Sequence, residues 1–141
     1  MYNEPMIHTP LFKKTFALLF LVGLVAVSAD TFYLYWSFWW LDTLVHFFAG
    51  MAVAMAGVLV WDFHYKTITG VFGTIVIAVT SAVMAGILWE TFELYFDLSY
   101  PSDGRYYYID TISDLLMDTC GGFFGGLYAR MVLIKNNPNL K

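Results

Sequence analysis

The sequence has one cysteine, four prolines and three histidines in 141 residues, and only 13% of its residues are charged. The single thiol, Cys120, can form neither an intramolecular disulfide nor a cysteine-based metal centre, and it reads as a small packing residue in a glycine-rich run. An average soluble domain carries about 25% charged residues, so a chain with half that share does not keep water over most of its surface. The net charge of -4 leaves no basic face for nucleic acid. There is no glycine-rich phosphate loop, no serine-centred nucleophile elbow and no H-E-x-x-H pair, which removes the familiar catalytic signatures. No linker, low-complexity tract or internal repeat divides the chain, so its length points to one domain over residues 1–141.

What is abundant is apolar length, with 60% of the residues hydrophobic. Crossing a hydrocarbon core of about 30 Å takes about 20 helical residues. Four stretches approach that length: 11–29, 41–61, 69–92 and 109–134. They predict an all-α polytopic membrane protein, a four-transmembrane-helix bundle. The second and fourth stretches cross only if their ionisable residues face protein or water instead of lipid. The first follows Lys13 and Lys14 and ends in Val27-Ser28-Ala29, which resembles a signal-peptidase site; it is read as a retained anchor.

Basic residues beside the spans stay in the cytoplasm. Lys13, Lys14, Lys66, Arg130, Lys135 and Lys141 fall on one side of this arrangement, and Arg105 alone falls on the other, in a loop with Asp97 and Asp103. Both termini are therefore expected in the cytoplasm of an inner-membrane protein. The outer connections, 31–40 and 95–108, are crowded with aromatics, and Pro101, Asp103 and Gly104 mark a turn. Rings with one polar edge settle at headgroup depth; the alternative is a platform for a sugar or lipid headgroup, with Trp39, Trp40 and Tyr107 as candidates.

Acidic residues converge on the same outer side. Asp42 and His46 are four apart and share a helix face; Glu90 and Glu93 are three apart; Asp110, Asp114 and Asp118 follow at intervals of four. At about 1.5 Å per residue, each set lies near the outer end of its helix. The faces continue inward as Gly50 and Ala54, Gly86 and Ala82, and Gly122 and Gly126, small residues that let helices approach closely in lipid. This predicts a bundle packed tightly toward the cytoplasm and open outward as an acidic pocket. A lipid-facing carboxylate at mid-bilayer costs about 2.5 to 3.5 kcal/mol on insertion scales. Compensation comes from Arg105, a protonated His46, shared protons or a divalent cation. Histidine with carboxylates suits Zn, Mn or non-haem Fe, and an all-oxygen subset suits Mg or Ca. The candidate metal ligands are Asp42, His46, Glu90, Glu93, Asp110, Asp114 and Asp118. Asp42 and Asp110 also suit helix N-termini as caps. His8 and His64 read as solvated loop residues.

The ordered set of Asp42-x-x-x-His46, Glu90-x-x-Glu93, Arg105 and Asp114-Leu-Leu-Met-Asp118-Thr-Cys-Gly121 resembles the small bacterial membrane proteins of the VanZ-like and YjdF-like groups over residues 41–126. VanZ-like proteins typically show Gln where this chain has Glu93 and Asn where it has Asp118, so the present pocket is more acidic. Asp110 and the W-E-x-x-E form resemble the YjdF-like group. The resemblance implies little chemistry beyond an association of VanZ with glycopeptide resistance. The leading expectation is a pocket that holds a divalent cation and acts on or binds a lipid or lipid-linked headgroup. In it Glu90, Asp114 and His46 would serve as acid, base or ligand, and Arg105, Trp39, Trp40 and Tyr107 as headgroup contacts. The alternatives are an accessory subunit joined to partner helices or to copies of itself, and a cation- or proton-coupled transport subunit.

Overall fold

The computed structural model describes residues 6–65 and 70–136. Lys66 and Lys141 from the charge bias, the expected span start at Thr69, and the His8 side chain lie outside the described residues. All regular structure among them is helical: α1 (Pro10–Thr31), α2 (Leu34–Ser37), α3 (Trp40–Tyr65), α4 (Val71–Tyr95) and α5 (Arg105–Asn136), with 3-10 turns at Met6–His8 and Pro101–Asp103. α1, α3 and α4 are long and apolar enough to cross a membrane. α5 has 32 residues, about 48 Å at 1.5 Å per residue, but its acids, glycines and basic residues keep it out of that apolar set.

The helix ends follow local chemistry. Thr9 accepts a hydrogen bond from the Phe12 amide at 3.2 Å, and Pro10 occupies the first helical position, where its missing N–H costs nothing. α1 stops where Tyr33 enters the left-handed region at φ 55, and the four-residue α2 follows inside the aromatic run read as a connection. α4 continues through Tyr95. Gly104, at φ 62 and ψ -121, turns the chain in a conformation that side chains exclude, and α5 begins at the next residue.

That early start corrects two expectations, and the length of α3 corrects a third. Tyr106, Tyr107 and Tyr108 form the first turn of α5 instead of a loop, because the turn closes at Gly104 and nothing after it breaks the helix. Asp110 consequently lies inside the helix and does not cap it, whereas Asp42 does occupy the first turn of α3. His64 belongs to the last turn of α3, not to a loop, and packs edge-on against Tyr65.

α5 fills the seam between α3 and α4, and glycine makes this approach possible. A methyl at Gly121 would fall on the Phe47 carbonyl, one at Gly50 on the Asp118 backbone, and one at Gly125 within 3.0 Å of Met51 and Ala54. The register rises together along α3 and α5, so the two run parallel. Against α4 it reverses: Gly86 meets Leu115 and Asp118, Gly122 meets Ala82 and Val79, and Gly126 meets Ala78 and Ile75. Contacts of this kind replace the hydrophobic drive that is missing between helices in lipid. At the end away from the acids, Leu11 of α1 joins Met55, Val58, Leu59, Val132 and Leu133 in the apolar core. There Lys14 donates to the Tyr128 hydroxyl at 2.9 Å. The rest of α1 shows Phe16, Phe20, Leu24 and Val27 on its outside.

Candidate functional site

The acidic residues sit where α3 begins, α4 ends and α5 completes its first turns. The i, i+4 spacing places Asp42 and His46 on one face of α3, and the same spacing stacks Asp114 above Asp118 on α5. Because Gly50 lets the α5 backbone close on α3 at Asp118, the two faces meet. His46 stands between them. Its Nε2 lies 4.0 Å from Asp42 Oδ1 and 3.8 Å from Asp114 Oδ2, and its Nδ1 lies 3.4 Å from Asp118 Oδ2.

Ligand atoms of Asp42, His46 and Asp114 all lie within 4.8 Å of one another. Both Nε2 separations are beyond the reach of a direct hydrogen bond, whereas Nδ1 and Asp118 Oδ2, at 3.4 Å, stand at the long end of that reach. Two donors on one tetrahedral Zn2+ at about 2.0 to 2.2 Å stand about 3.3 to 3.6 Å apart, so the two Nε2 separations are a few tenths of an ångström wider than a closed zinc site and an ion would draw the side chains inward. His46, Asp114 and Asp118 are 8%, 6% and 4% exposed, and Asp42 is half-buried toward the end of the bundle. Asp114 makes no hydrogen bond among the described residues, and no lysine or arginine there forms an ion pair with the cluster. Three ionised carboxylates around a neutral imidazole sum to -3. A buried excess of this size needs a cation or protons.

The remaining candidates have their own partners or lie further out. Glu90, 8% exposed, accepts a hydrogen bond at 2.7 Å from Thr111 Oγ1, which ties α4 to α5 one turn outward of Asp114. Half-buried Glu93 accepts from Trp89 Nε1 at 2.9 Å. Asp110 and Arg105 are exposed, and Arg105 forms no ion pair among the described residues. Trp39 is 84% exposed, Trp40 packs obliquely on Phe38, and Tyr107 meets Tyr108 edge-on. The structure thus gathers Asp42, His46, Asp114 and Asp118 into one cluster and does not draw Arg105 or Trp39 into it.

Two residues near the site escaped sequence reasoning. Thr111 carried no signal, since a threonine among helical residues is common; only the helix register reveals it opposite Glu90. Tyr35, half-buried in α2, has its phenol pushed above the ordinary value by burial first and then by the charges of Asp42, Asp30 and Glu93. The aromatic run had concealed it among similar rings.

The protein family described as "Predicted membrane protein (DUF2238)" matches residues 7–135. No curated protein and no solved structure matches the chain.

Proposed function

The chain belongs to the DUF2238 family of predicted membrane proteins, and from that premise we propose a multi-pass protein that holds a divalent cation on Asp42, His46 and Asp114 to engage a lipid or lipid-linked headgroup. The observation that carries this reading is a triad of one imidazole nitrogen and two carboxylate donors, with His46 and Asp114 buried and Asp42 half-buried, and with no lysine or arginine paired to it among the described residues. One nitrogen with oxygens favours Zn2+ or Mn2+ over Mg2+ and Ca2+, which prefer oxygen alone. A cation bound there supplies Lewis-acid polarisation and charge neutralisation for an anionic headgroup. Glu90, held by Thr111 beside the triad, is the proposed general acid or base. Arg105, Trp39, Trp40 and Tyr107, at or beside the first turns of α3 and α5, are the proposed headgroup contacts.

In this reading α5 is a fourth span, because it lies in the seam between α3 and α4 along their length. Both termini are cytoplasmic and the pocket opens outward from the inner membrane, following the distribution of lysine and arginine. The order of the acidic motifs supports kinship with the VanZ-like and YjdF-like groups.

The packing beneath the site favours a one-sided pocket over a transport path. Below Asp118, Gly122 closes on Ala82 and Gly126 on Ala78, while Ser81 Oγ donates to its own helix at Ile77 O, 2.8 Å away. No continuous polar track leaves the cluster in that direction among the described residues. Elemental analysis tests the proposal: protein purified in mild detergent without chelators, then dialysed against Zn2+ or Mn2+, should hold one ion per chain. The Asp42→Asn, Asp114→Asn double variant should hold none. Metal-free wild type after dialysis overturns the reading.

A further inference from the structure

The seven ionisable residues that converge on this end of the bundle do not have equal claims on a cation, and the imidazole separates them. The two nitrogens of one ring point away from each other, so a group seated on Nδ1 does not reach an ion bound at Nε2. Asp42 and Asp114 face Nε2, while Asp118 faces Nδ1. Asp118 is also the most buried member of the cluster, at 4% exposure. Its carboxylate occupies the space that a side chain at Gly86 would take, and its backbone lies against Gly50. Glycines on two neighbouring helices therefore wedge this side chain beneath the ring.

Asp114 supplies the independent sign that a ligand belongs above the ring. It is more than nine-tenths buried, makes no hydrogen bond among the described residues, and points at the same space as Nε2 and Asp42.

We infer that Asp118 is a positioning residue and not a metal ligand: it accepts the Nδ1 proton of His46, fixes the ring, and leaves Nε2 as the coordinating atom beside Asp42 and Asp114. The inference rests on the cation-binding reading given above. An ionised carboxylate only accepts hydrogen bonds, so the proton must sit on Nδ1, and the lone pair then lies on Nε2. A metal-bound histidine commonly donates its second ring N–H to such a carboxylate, and losing that partner weakens metal affinity by about 10- to 100-fold. The direct ligand set narrows from seven sequence candidates to His46, Asp42 and Asp114, with water or substrate completing the coordination.

Titration of the full chain with Co2+ in detergent tests this, because the visible bands of cobalt report its ligands separately from its affinity. Wild type, Asp118→Asn and Gly86→Ala are compared, the last displacing the Asp118 carboxylate while retaining it, with folding checked by helical circular dichroism. The expected result is that all three share band positions and intensities, while affinity falls about 10- to 100-fold in Asp118→Asn and falls also in Gly86→Ala. If Asp118→Asn misfolds, the spectrum of Gly86→Ala decides. Altered bands in either folded variant, or unchanged affinity in Asp118→Asn, overturn the positioning role while leaving the cation site standing. Wild type that binds no Co2+ removes the cation reading itself.

Discussion

Gly121→Ala is the sharpest test of how the site is assembled. The added methyl would fall on the Phe47 carbonyl oxygen and within 2.9 Å of the Met51 amide nitrogen, and both are backbone atoms that cannot rotate away. α3 and α5 must part, and the packing at Gly50 and Gly125 loosens with them. Overpacking of a tight core costs about 1 to 3 kcal/mol, and a clash with backbone belongs at the upper end. Replacing glycine by alanine inside a helix returns about 0.8 to 1 kcal/mol. The net loss is about 2 kcal/mol, or about 30-fold in the folding equilibrium. Gly23→Ala in α1 is the matched control, since nothing lies within 4 Å of its added methyl; it should be neutral or slightly stabilising. Equilibrium unfolding in mixed micelles of mild detergent and dodecyl sulfate, followed by the fluorescence of the five tryptophans, measures both. Equal stability of the two variants would show that α3 and α5 do not meet through these glycines.

Thr111→Val keeps the shape of the side chain but removes the hydrogen-bond donor to buried Glu90, so the same unfolding assay should show a loss of about 1 to 3 kcal/mol; unchanged stability would detach Glu90 from α5. In a Cys120→Ser background, Arg105→Cys should react with an impermeant maleimide on intact cells and Lys135→Cys only after permeabilisation. Reversed labelling would invert the orientation, and labelling of both from one side would show that α5 does not cross. Asp114→Asn should abolish cation binding while Asp110→Asn, on an exposed residue, should leave it within a few-fold of wild type; the opposite order would move the site outward along α5.

The heart of the site was legible in the sequence because helical periodicity is a strong constraint. Residues four apart must share a face, so Asp42 with His46 and Asp114 with Asp118 could be placed before any packing was known. Small residues continuing the same faces identified the surfaces on which helices meet, and Gly50, Gly86 and Gly122 do lie there. Relations between helices were beyond that reach. Whether Asp118 or Asp114 faced a given nitrogen of His46 depends on rotation about the α5 axis, and the Glu90–Thr111 hydrogen bond depends on the sliding register of α4 against α5. The start of α5 was missed because tyrosines at an interface suit a loop or a helix equally, and the deciding event was the backbone conformation of Gly104. Arg105 was grouped with the acids by its place in the chain; the structure leaves it exposed at the first residue of α5, without an ion pair among the described residues.

X-ray absorption at the zinc edge of the wild-type protein loaded with one equivalent of Zn2+ reads the ligands of the proposed cation site directly. A cation held by His46, Asp42 and Asp114 should give a first shell of nitrogen and oxygen at about 2.0 to 2.2 Å, with the outer-shell scattering of a single imidazole. A shell of water alone, or a sulfur at about 2.3 Å from Cys120, would contradict it.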